Sequence, residues 1–350
     1  MKKRILITGG AGFIGSNFVH FCIQNGYKVL NYDILTYAGN LSNLEKIENN
    51  SNYSFVRGDI CDRNLLNKIV NKFEPNFIVN FAAESHVDRS IDSPDSFINT
   101  NINGTYELLK ISLNYYLKIK KNNFKFLHVS TDEVFGSLKD EGLFNEETPY
   151  NPSSPYSASK ASSDHLVRAW FSTYSLPILI TNCSNNYGPF QFPEKLIPLM
   201  ITNCLDNKKL PIYGNGSNVR DWLFVEDHCN AISSVLNNGE IGSTYNIGGN
   251  EEKTNLEIVN LICEILDEIY PSKKLKSYKE LITFVEDRPG HDYRYAIDST
   301  KIKRECGWSP KETFSSGLKK TIRWYVGNKL WVENIKSNKY NLERLGLNKS

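Results

Sequence analysis

Short apolar, β-branched runs alternate with longer segments of helical spacing through the first half of the chain. The runs are Arg4–Ile7, Tyr27–Tyr32, Tyr53–Val56, Phe77–Phe81, Phe124–Val129 and Pro177–Thr181. Each is near-continuously apolar, the pattern of a strand buried on both faces. Between several of them lie segments with helical periodicity, such as Ser16–Gln24 and Pro94–Tyr116. Strand and helix in this rhythm predict an α/β fold with a doubly wound parallel sheet.

After about residue 185 the texture changes. Gly188, Pro189, Pro193, Pro198, Pro211, Gly214 and Gly216 punctuate short segments, and the alternation is lost. Thr244–Ile247 is a candidate to return as one more strand, followed by a helical stretch from Leu256 to Ile269. The expected division is residues 1–185 as a dinucleotide-binding domain with a return segment at about 220–255. Residues 186–335 form most of a smaller, interleaved substrate domain, and 336–350 form a Lys/Asn-rich tail. No internal repeat or low-complexity segment appears.

Composition narrows the class. Of 350 residues, 41 are Lys or Arg and 39 Asp or Glu, a formal net charge of +2, with 40% hydrophobic and 23% charged. That balance suits a soluble globular chain and gives no reason to expect nucleic acid or a membrane surface as partner. Cysteines at 22, 61, 183, 204, 229, 263 and 306 form no close pair. Neither a disulfide framework nor a metal site is expected, and a reducing compartment is. Met1 to Arg4 is basic, but only three apolar residues follow before Thr8-Gly9-Gly10. That is too short for an export segment, so a cytoplasmic protein is expected.

Candidate chemistry begins directly after the first strand. Residues 9–16 read Gly-Gly-Ala-Gly-Phe-Ile-Gly-Ser and lead into the helix expected at Ser16. Gly10, Gly12 and Gly15 satisfy G-x-G-x-x-G, and Gly9 offers a second register. Such glycines permit a tight turn and let backbone N–H groups approach a pyrophosphate, the Rossmann-type arrangement. Asp33, 18 residues after Gly15, ends the second strand. A carboxylate there accepts from ribose hydroxyls and repels a 2′-phosphate, which predicts NAD rather than NADP. Asp59 closes the third strand at the same sheet edge, within reach of adenine.

Tyr156 and Lys160 stand at i and i+4 on one helix face. A lysine so placed is expected to lower the phenol pKa, making the phenolate a base for a sugar hydroxyl during hydride transfer. Asp132 and Glu133 follow Ser130-Thr131 at the carboxyl edge of the predicted sheet, where ligands bind. Adjacent carboxylates can split their pKa values into one acid and one base.

Together, the glycine motif and Tyr156/Lys160 resemble the extended short-chain dehydrogenase/reductases that act on nucleotide sugars. Within that group, Ser130-Thr131-Asp132-Glu133-Val134-Phe135-Gly136 resembles the signature of the dTDP-glucose 4,6-dehydratase family. Further matches are Ala82 to Ser90, Asn185 to Pro189, Phe192 to Pro198, Arg220-Asp221-Trp222 and Asp287 to His291, so the resemblance runs from residue 5 to about 335. One departure is Phe135, where the family commonly has tyrosine; no named role depends on the missing hydroxyl.

The resemblance implies an NAD-dependent lyase acting on dTDP-glucose, and a homodimer. Oxidation at carbon 4 acidifies the carbon-5 proton; water then leaves across carbons 5 and 6, and hydride returns to carbon 6. Glu133 is implied as base, Asp132 as acid, and Thr131 as a partner of the carbon-4 oxygen beside Tyr156. For NAD it implies Gly9, Gly12, Phe13, Ile14, Gly15, Asp33, Ile34, Leu35, Thr36, Asp59, Ile60, Phe81, Ala82, Ala83, Glu84, Ser85, Thr100, Tyr156, Lys160 and Asn186. For the nucleotide sugar it implies Ser85, Thr131, Asn185, Lys195, Leu196, Pro211, Ile212, Tyr213, Arg220, Asn255, Asp287, Arg288, Pro289, Gly290 and His291. Arg220 and Lys195 suit a diphosphate. Tyr213 is either a base-stacking or a core tyrosine, and His86 and His291 are either site residues or packed imidazoles. A 4-epimerase or decarboxylase on the same fold is the alternative, although an epimerase leaves the carboxylate pair idle. A non-catalytic dinucleotide sensor would be free to lose Tyr156, Lys160 or Glu133, and all three are present.

Overall fold

In the computed structural model, which describes residues 2–119, 123–287 and 292–339 (337–339 as backbone only), all six early apolar runs are strands. They are β1 (Arg4–Thr8), β2 (Lys28–Asp33), β3 (Tyr53–Arg57), β4 (Phe77–Asn80), β5 (Lys125–Thr131) and β6 (Ile178–Cys183). Shorter strands follow: β7 (Asn185–Tyr187), β8 (Leu210–Tyr213), β9 (Val219–Phe224), β10 (Thr244–Ile247), β11 (Glu252–Thr254), β12 (Ile282–Val285) and β13 (Arg294–Tyr295).

Seven strands form one parallel sheet in the order β10-β6-β5-β4-β1-β2-β3. The late strand β10 returns beside β6, with Tyr245 opposite Thr181. The chain moves outward from β1 to β3, then crosses to the far side of β1 for β4. Loops leaving β1 and β4 therefore diverge and open a crevice at the carboxyl edge.

Both faces of this sheet are covered. Ile5, Ile7, Val29, Val79 and Leu127 pack with helices Phe13–Gln24 and Val225–Asn238. Leu6, Leu30, Ile78 and Phe126 point the other way, onto helices Arg63–Phe73, Thr105–Ile119 and Pro155–Tyr174. The strands read as continuous apolar runs because alternate side chains meet apolar partners on both sides.

Two segments differ from the sequence expectation. The helix expected from Ser16 begins at Phe13, because Gly12 takes the N-cap position. The single helix expected over Pro94–Tyr116 is divided into a turn at Asp95–Phe97, a π-helical stretch at Ile98–Gly104 and the helix Thr105–Ile119. The π stretch turns Asn101 inward, where its amide bonds the backbone of Glu84 and the Ser159 hydroxyl. Such widened turns gather at functional sites.

A separate apolar cluster gathers helices Leu196–Leu205, Asn255–Ile269 and Phe314–Gly327 around β8 and β9. Here β9 is flanked by β11 and β13 and also pairs with β7, while β8 pairs with β12. Phe135 stacks on Phe144 with ring centroids 5.2 Å apart, in a small cluster of its own beside the site. All seven cysteines are free thiols, six of them buried. Among the described residues no helix is long and apolar enough to cross a membrane.

Candidate active site

The loop leaving β1 uses its glycines for different purposes. Gly9 adopts φ +69°, and a Cβ there would fall 2.6 Å from the Ala82 backbone nitrogen. A Cβ on Gly15 would fall 2.2 Å from the Gly9 carbonyl oxygen. The operative triplet is therefore Gly9, Gly12 and Gly15, the second of the two registers. Gly10 packs instead against Asn31. No side chain caps the helix at Gly12, which leaves the first-turn N–H groups facing the crevice for an anion. Asp33 braces this loop: its Oδ2 accepts from Ala11 N at 2.9 Å and its Oδ1 from Leu35 N at 2.8 Å. Leu35 itself, at φ +61°, shapes the turn rather than lining the cavity.

A cavity of about 320 Å³ opens at the carboxyl edge of the sheet. Of the residues expected to hold NAD, it is lined by Gly9, 12–15, Asp33, Ile34, Thr36, Asp59, Ile60, 81–85, Thr100, Tyr156, Lys160 and Asn186. The same space is lined by Thr131, Asp132, Glu133, Asn185 and Lys195. Lys195 Nζ reaches the Ser85 carbonyl at 3.2 Å. Buried polar atoms along this wall, Asp132 Oδ2, Asn185 Oδ1 and Gln191 Oε1, have no hydrogen-bond partner in the protein. Open helix-terminal donors, a braced carboxylate and these orphaned atoms fit a dinucleotide with a polar ligand beside it.

Local sequence places the reacting groups. β5 ends on Thr131, whose hydroxyl accepts from Glu133 N at 3.3 Å and starts the tight turn Asp132–Phe135. Across from it, Ser154 caps helix Pro155–Tyr174 in a reciprocal box with Ser157, and Pro155 occupies the first turn. Tyr156 is thereby fixed in the first turn, and Lys160 follows one turn on. Asp132 is 2% exposed. Burial, then the charges of Glu133 and Asp221, raise its carboxyl well above the ordinary range, which favours its protonated form; the Arg220 charge and the Thr131 hydroxyl oppose this.

Tyr156 departs from the sequence expectation. Burial, and next the Glu133 charge, push its phenol well above the usual value; the Thr131 hydroxyl opposes this only in part. Lys160 is directed elsewhere: its Nζ donates to the Val129 carbonyl at 2.9 Å and lies 3.3 Å from His128 Nε2. Helical spacing alone puts the two on one face but says nothing about the burial that dominates the phenol.

Several expected substrate residues stand away from this cavity. Leu196 starts the helix Leu196–Leu205 and packs on the C-terminal core. Ile212 is a core side chain of β8, and Pro211 and Tyr213 flank it, half-buried. Asp287 lies against Gly214, and Asn255 N bonds the Asn218 carbonyl, so these segments form a second group of their own. Arg220 stands between the two, its charge acting on Asp132 in the cavity wall. Its Nη atoms donate to the carbonyls of Val219, Asp292 and Tyr293, and its guanidinium lies over the Tyr295 ring. Arg288, Pro289, Gly290 and His291 fall outside the described residues.

Other groups escaped the sequence reading. Glu194 lines the cavity and accepts from Tyr37 OH at 3.2 Å and Arg89 Nε at 3.3 Å, and the Arg89 guanidinium lies 3.9 Å from the Tyr37 ring centroid. These contacts tie the loop after β2 to the segment before Leu196. His86, left open in the sequence between a site residue and a packed imidazole, caps helix Val87–Asp92 by accepting from Arg89 N and lies 3.8 Å from Glu194. His128, Asp164 and Asn80 form a buried polar chain behind Lys160. The available signals were polar residues inside apolar strands and an Asp at i+4 from Lys160.

An uncapped, glycine-lined helix start at the switch point of a parallel sheet, with Tyr156, Lys160 and a carboxylate pair beside it, is the arrangement of an extended short-chain dehydrogenase/reductase. A family model described as GDP-mannose 4,6 dehydratase matches residues 6–321. The dTDP-glucose 4,6-dehydratase of Neisseria meningitidis serogroup B is 55% identical over 354 residues, covering 99% of this chain and 100% of that one. Crystal structures of dTDP-glucose 4,6-dehydratases with NAD bound are similar throughout. The one from Bacillus anthracis gives a TM-score of 0.85 at 50% identity, and the one from Streptomyces venezuelae 0.87 at 45%. Each comparison covers 95% of this chain and 100% of the other. The chain belongs to this family of nucleotide-sugar 4,6-dehydratases, with the dTDP-glucose 4,6-dehydratases as its relatives at more than half identity.

Proposed function

We propose that this chain is an NAD-dependent lyase that converts dTDP-glucose to dTDP-4-dehydro-6-deoxyglucose and water. The observation that carries the reading is the carboxylate pair at the end of β5, one member buried and its carboxyl raised, in the same cavity as Tyr156. A 4-epimerase has no use for it.

NAD, when bound, supplies the hydride acceptor for carbon 4 and the hydride donor for carbon 6. The first-turn N–H groups at residues 13–15 hold its diphosphate, and Asp33 its adenosine ribose, so a chain of net charge +2 binds an anion through placed dipoles. Tyr156 takes the carbon-4 hydroxyl proton, with Thr131 bonding the same oxygen. The ketone so formed acidifies carbon 5, Glu133 removes that proton, and Asp132 protonates the carbon-6 hydroxyl as it departs as water. Proton return to carbon 5 restores Glu133. Lys195 and Ser85 border the cavity where the sugar diphosphate lies, and Arg220, Tyr213, Asn255 and Asp287 form the nucleotide end of the same ligand's path.

The same reading divides the chain near residue 186 into cofactor and substrate parts and places the protein in the cytoplasm. A homodimer is supported by exposed Tyr106, Leu117 and Tyr174 on the adjoining helices Thr105–Ile119 and Pro155–Tyr174. Sedimentation tests the dimer. A panel of nucleotide sugars, read by loss of one water, tests the activity; turnover of dTDP-glucose without water loss contradicts it.

A further inference from the structure

The proposed chemistry leaves two fully buried titratable groups behind Lys160 without a task, Asp164 and His128. Asp164 stands one turn beyond Lys160 on helix Pro155–Tyr174. Three donors converge on its Oδ2: Ser130 Oγ at 2.9 Å, Tyr150 OH at 2.8 Å and Asn182 Nδ2 at 3.3 Å. Its Oδ1 lies 3.5 Å from His128 Nε2, which is itself 3.3 Å from Lys160 Nζ. On the ring's other side, Asn80 Nδ2 is 3.1 Å from His128 Nδ1, while Asn80 Oδ1 accepts from the Thr8 hydroxyl at 2.6 Å. With the amide so oriented, Nδ1 is the acceptor and Nε2 carries a proton that faces Asp164 Oδ1, so Lys160 Nζ is a neighbour of this nitrogen rather than its donor and donates instead to the Val129 carbonyl.

A lysine buried to this degree sheds its proton unless an anion shares its pocket. Lys160 faces Asp164 and Tyr156 from its own helix, His128 and the Val129 carbonyl from β5, and Cys183 from β6. Asp164 faces Lys160 and Arg168 from its own helix, His128 and Ser130 from β5, Asn182 from β6, and Tyr150 from the preceding loop. The Cys183 thiol is pushed up to about 12 by burial and stays neutral. His128 is pushed well below its usual value by burial and is neutral too. Arg168 donates to the Tyr150 hydroxyl, at 2.7 Å, rather than to Asp164. Burial raises the Asp164 carboxyl, while the Lys160 charge and the hydrogen bonds from Tyr150 and Ser130 oppose this and favour its charged form, so Asp164 is the carboxylate that shares this pocket with the lysine.

We propose that Asp164 is a positioning residue of the reaction: its carboxylate keeps Lys160 protonated, and the ammonium in turn favours the Tyr156 phenolate. His128 is the neutral spacer between the two charges. This rests on the role proposed for Tyr156 above and on the charge of a lysine one helical turn away, which acts on the phenol through space because its Nζ is bonded to the Val129 carbonyl and not to Tyr156. Loss of the carboxylate leaves burial to neutralise Lys160, the phenol then holds its proton more tightly, and the base form of Tyr156 appears only at higher pH.

The test compares wild-type holoenzyme with Asp164→Asn and, as a milder change that keeps the carboxylate, Tyr150→Phe. Expected for Asp164→Asn is a fall in kcat at neutral pH of about 10–100-fold, the scale of a group acting through a partner, with KM little changed. The acid limb of substrate-dependent nicotinamide reduction moves to higher pH, and Tyr150→Phe moves it the same way by less. Lysine labelled with carbon-13 at Cε gives a second readout without substrate. The Lys160 resonance, assigned by its loss in Lys160→Met, reaches the neutral-amine position at lower pH in Asp164→Asn than in wild type. A limb and a resonance that stay in place in both variants overturn the proposal, as does a pH-independent loss of rate. If Asp164→Asn does not fold, Tyr150→Phe decides by the same two readouts. Failure of wild type to act on dTDP-glucose refutes the function instead, and the lysine resonance still reports on Asp164.

Discussion

Glu133→Gln separates the two halves of the proposed reaction. Glu133 is only partly buried, and its structural contact with Thr131 is made by its backbone N–H, so the amide preserves the turn at the end of β5. What is lost is the carboxylate. Without it the carbon-5 proton has no base, and turnover falls by the factor typical of a general acid–base group, on the order of 10²–10⁴. That corresponds to about 3–5 kcal/mol in the barrier. The oxidation at carbon 4 behaves in the opposite way. Glu133's charge is the second cause, after burial, of the raised Tyr156 phenol and of the raised Asp132 carboxyl. Neutralising it makes the phenol easier to ionise, so reduction of the nicotinamide by substrate persists and its acid limb moves to lower pH. Single-turnover absorbance of the reduced nicotinamide, followed across pH with product assayed in parallel, reads both effects. Accumulated reduced cofactor with little product is the expected outcome. Near-wild-type product formation, or an acid limb displaced upward, refutes the assignment of Glu133.

Three further outcomes follow from the geometry. Tyr156→Phe removes the proposed base at carbon 4, and stopped-flow absorbance should show no reduced nicotinamide at any stage. Asp132→Asn should abolish water loss yet raise Tm at neutral pH. Folded Asp132 holds its proton far above the ordinary range while the unfolded chain ionises there, so the stability the protonated group contributes is full below the unfolded value and lost as pH rises through the folded one. The amide removes that loss, and thermal melts across pH check it. Gly15→Ala would drive a Cβ to 2.2 Å from the Gly9 carbonyl, against backbone that cannot yield cheaply. A loss of about 1–3 kcal/mol in stability and of NAD affinity is expected, by chemical denaturation and calorimetric titration.

Much of the fold was legible because a parallel sheet covered on both faces needs near-continuous apolar strands, and those strands stand out. Even the return of Thr244–Ile247 to the sheet showed in its pattern. The break in the helix over Pro94–Tyr116 did not, since Asn101 and Gly104 answer to tertiary partners, Glu84, Ser159 and Ile60, and not to local periodicity. The glycine register was open between two readings in sequence and is decided by the close approach of Gly9 to Ala82 and of Gly15 to Gly9. Asp132, Glu133, Tyr156 and Lys160 were visible from spacing and resemblance, and all four line one cavity. Their electrostatics were not visible. Helical spacing led to a lowered Tyr156 phenol, whereas burial raises it, and burial is a property of the packed whole. The polar chain from Lys160 to His128 and Asp164 was hidden for the same reason, its members coming from β5 and from a helix that meet only in the fold.

The central claim is that these groups carry out oxidation, elimination and reduction on one sugar. Incubating the holoprotein with dTDP-glucose in deuterated water tests it most directly. The expected product is a 4-keto-6-deoxy sugar nucleotide that has lost one water and carries solvent deuterium at carbon 5. An unchanged substrate, a 4-epimer that retains all its oxygens, or a dehydrated product without deuterium at carbon 5 contradicts it.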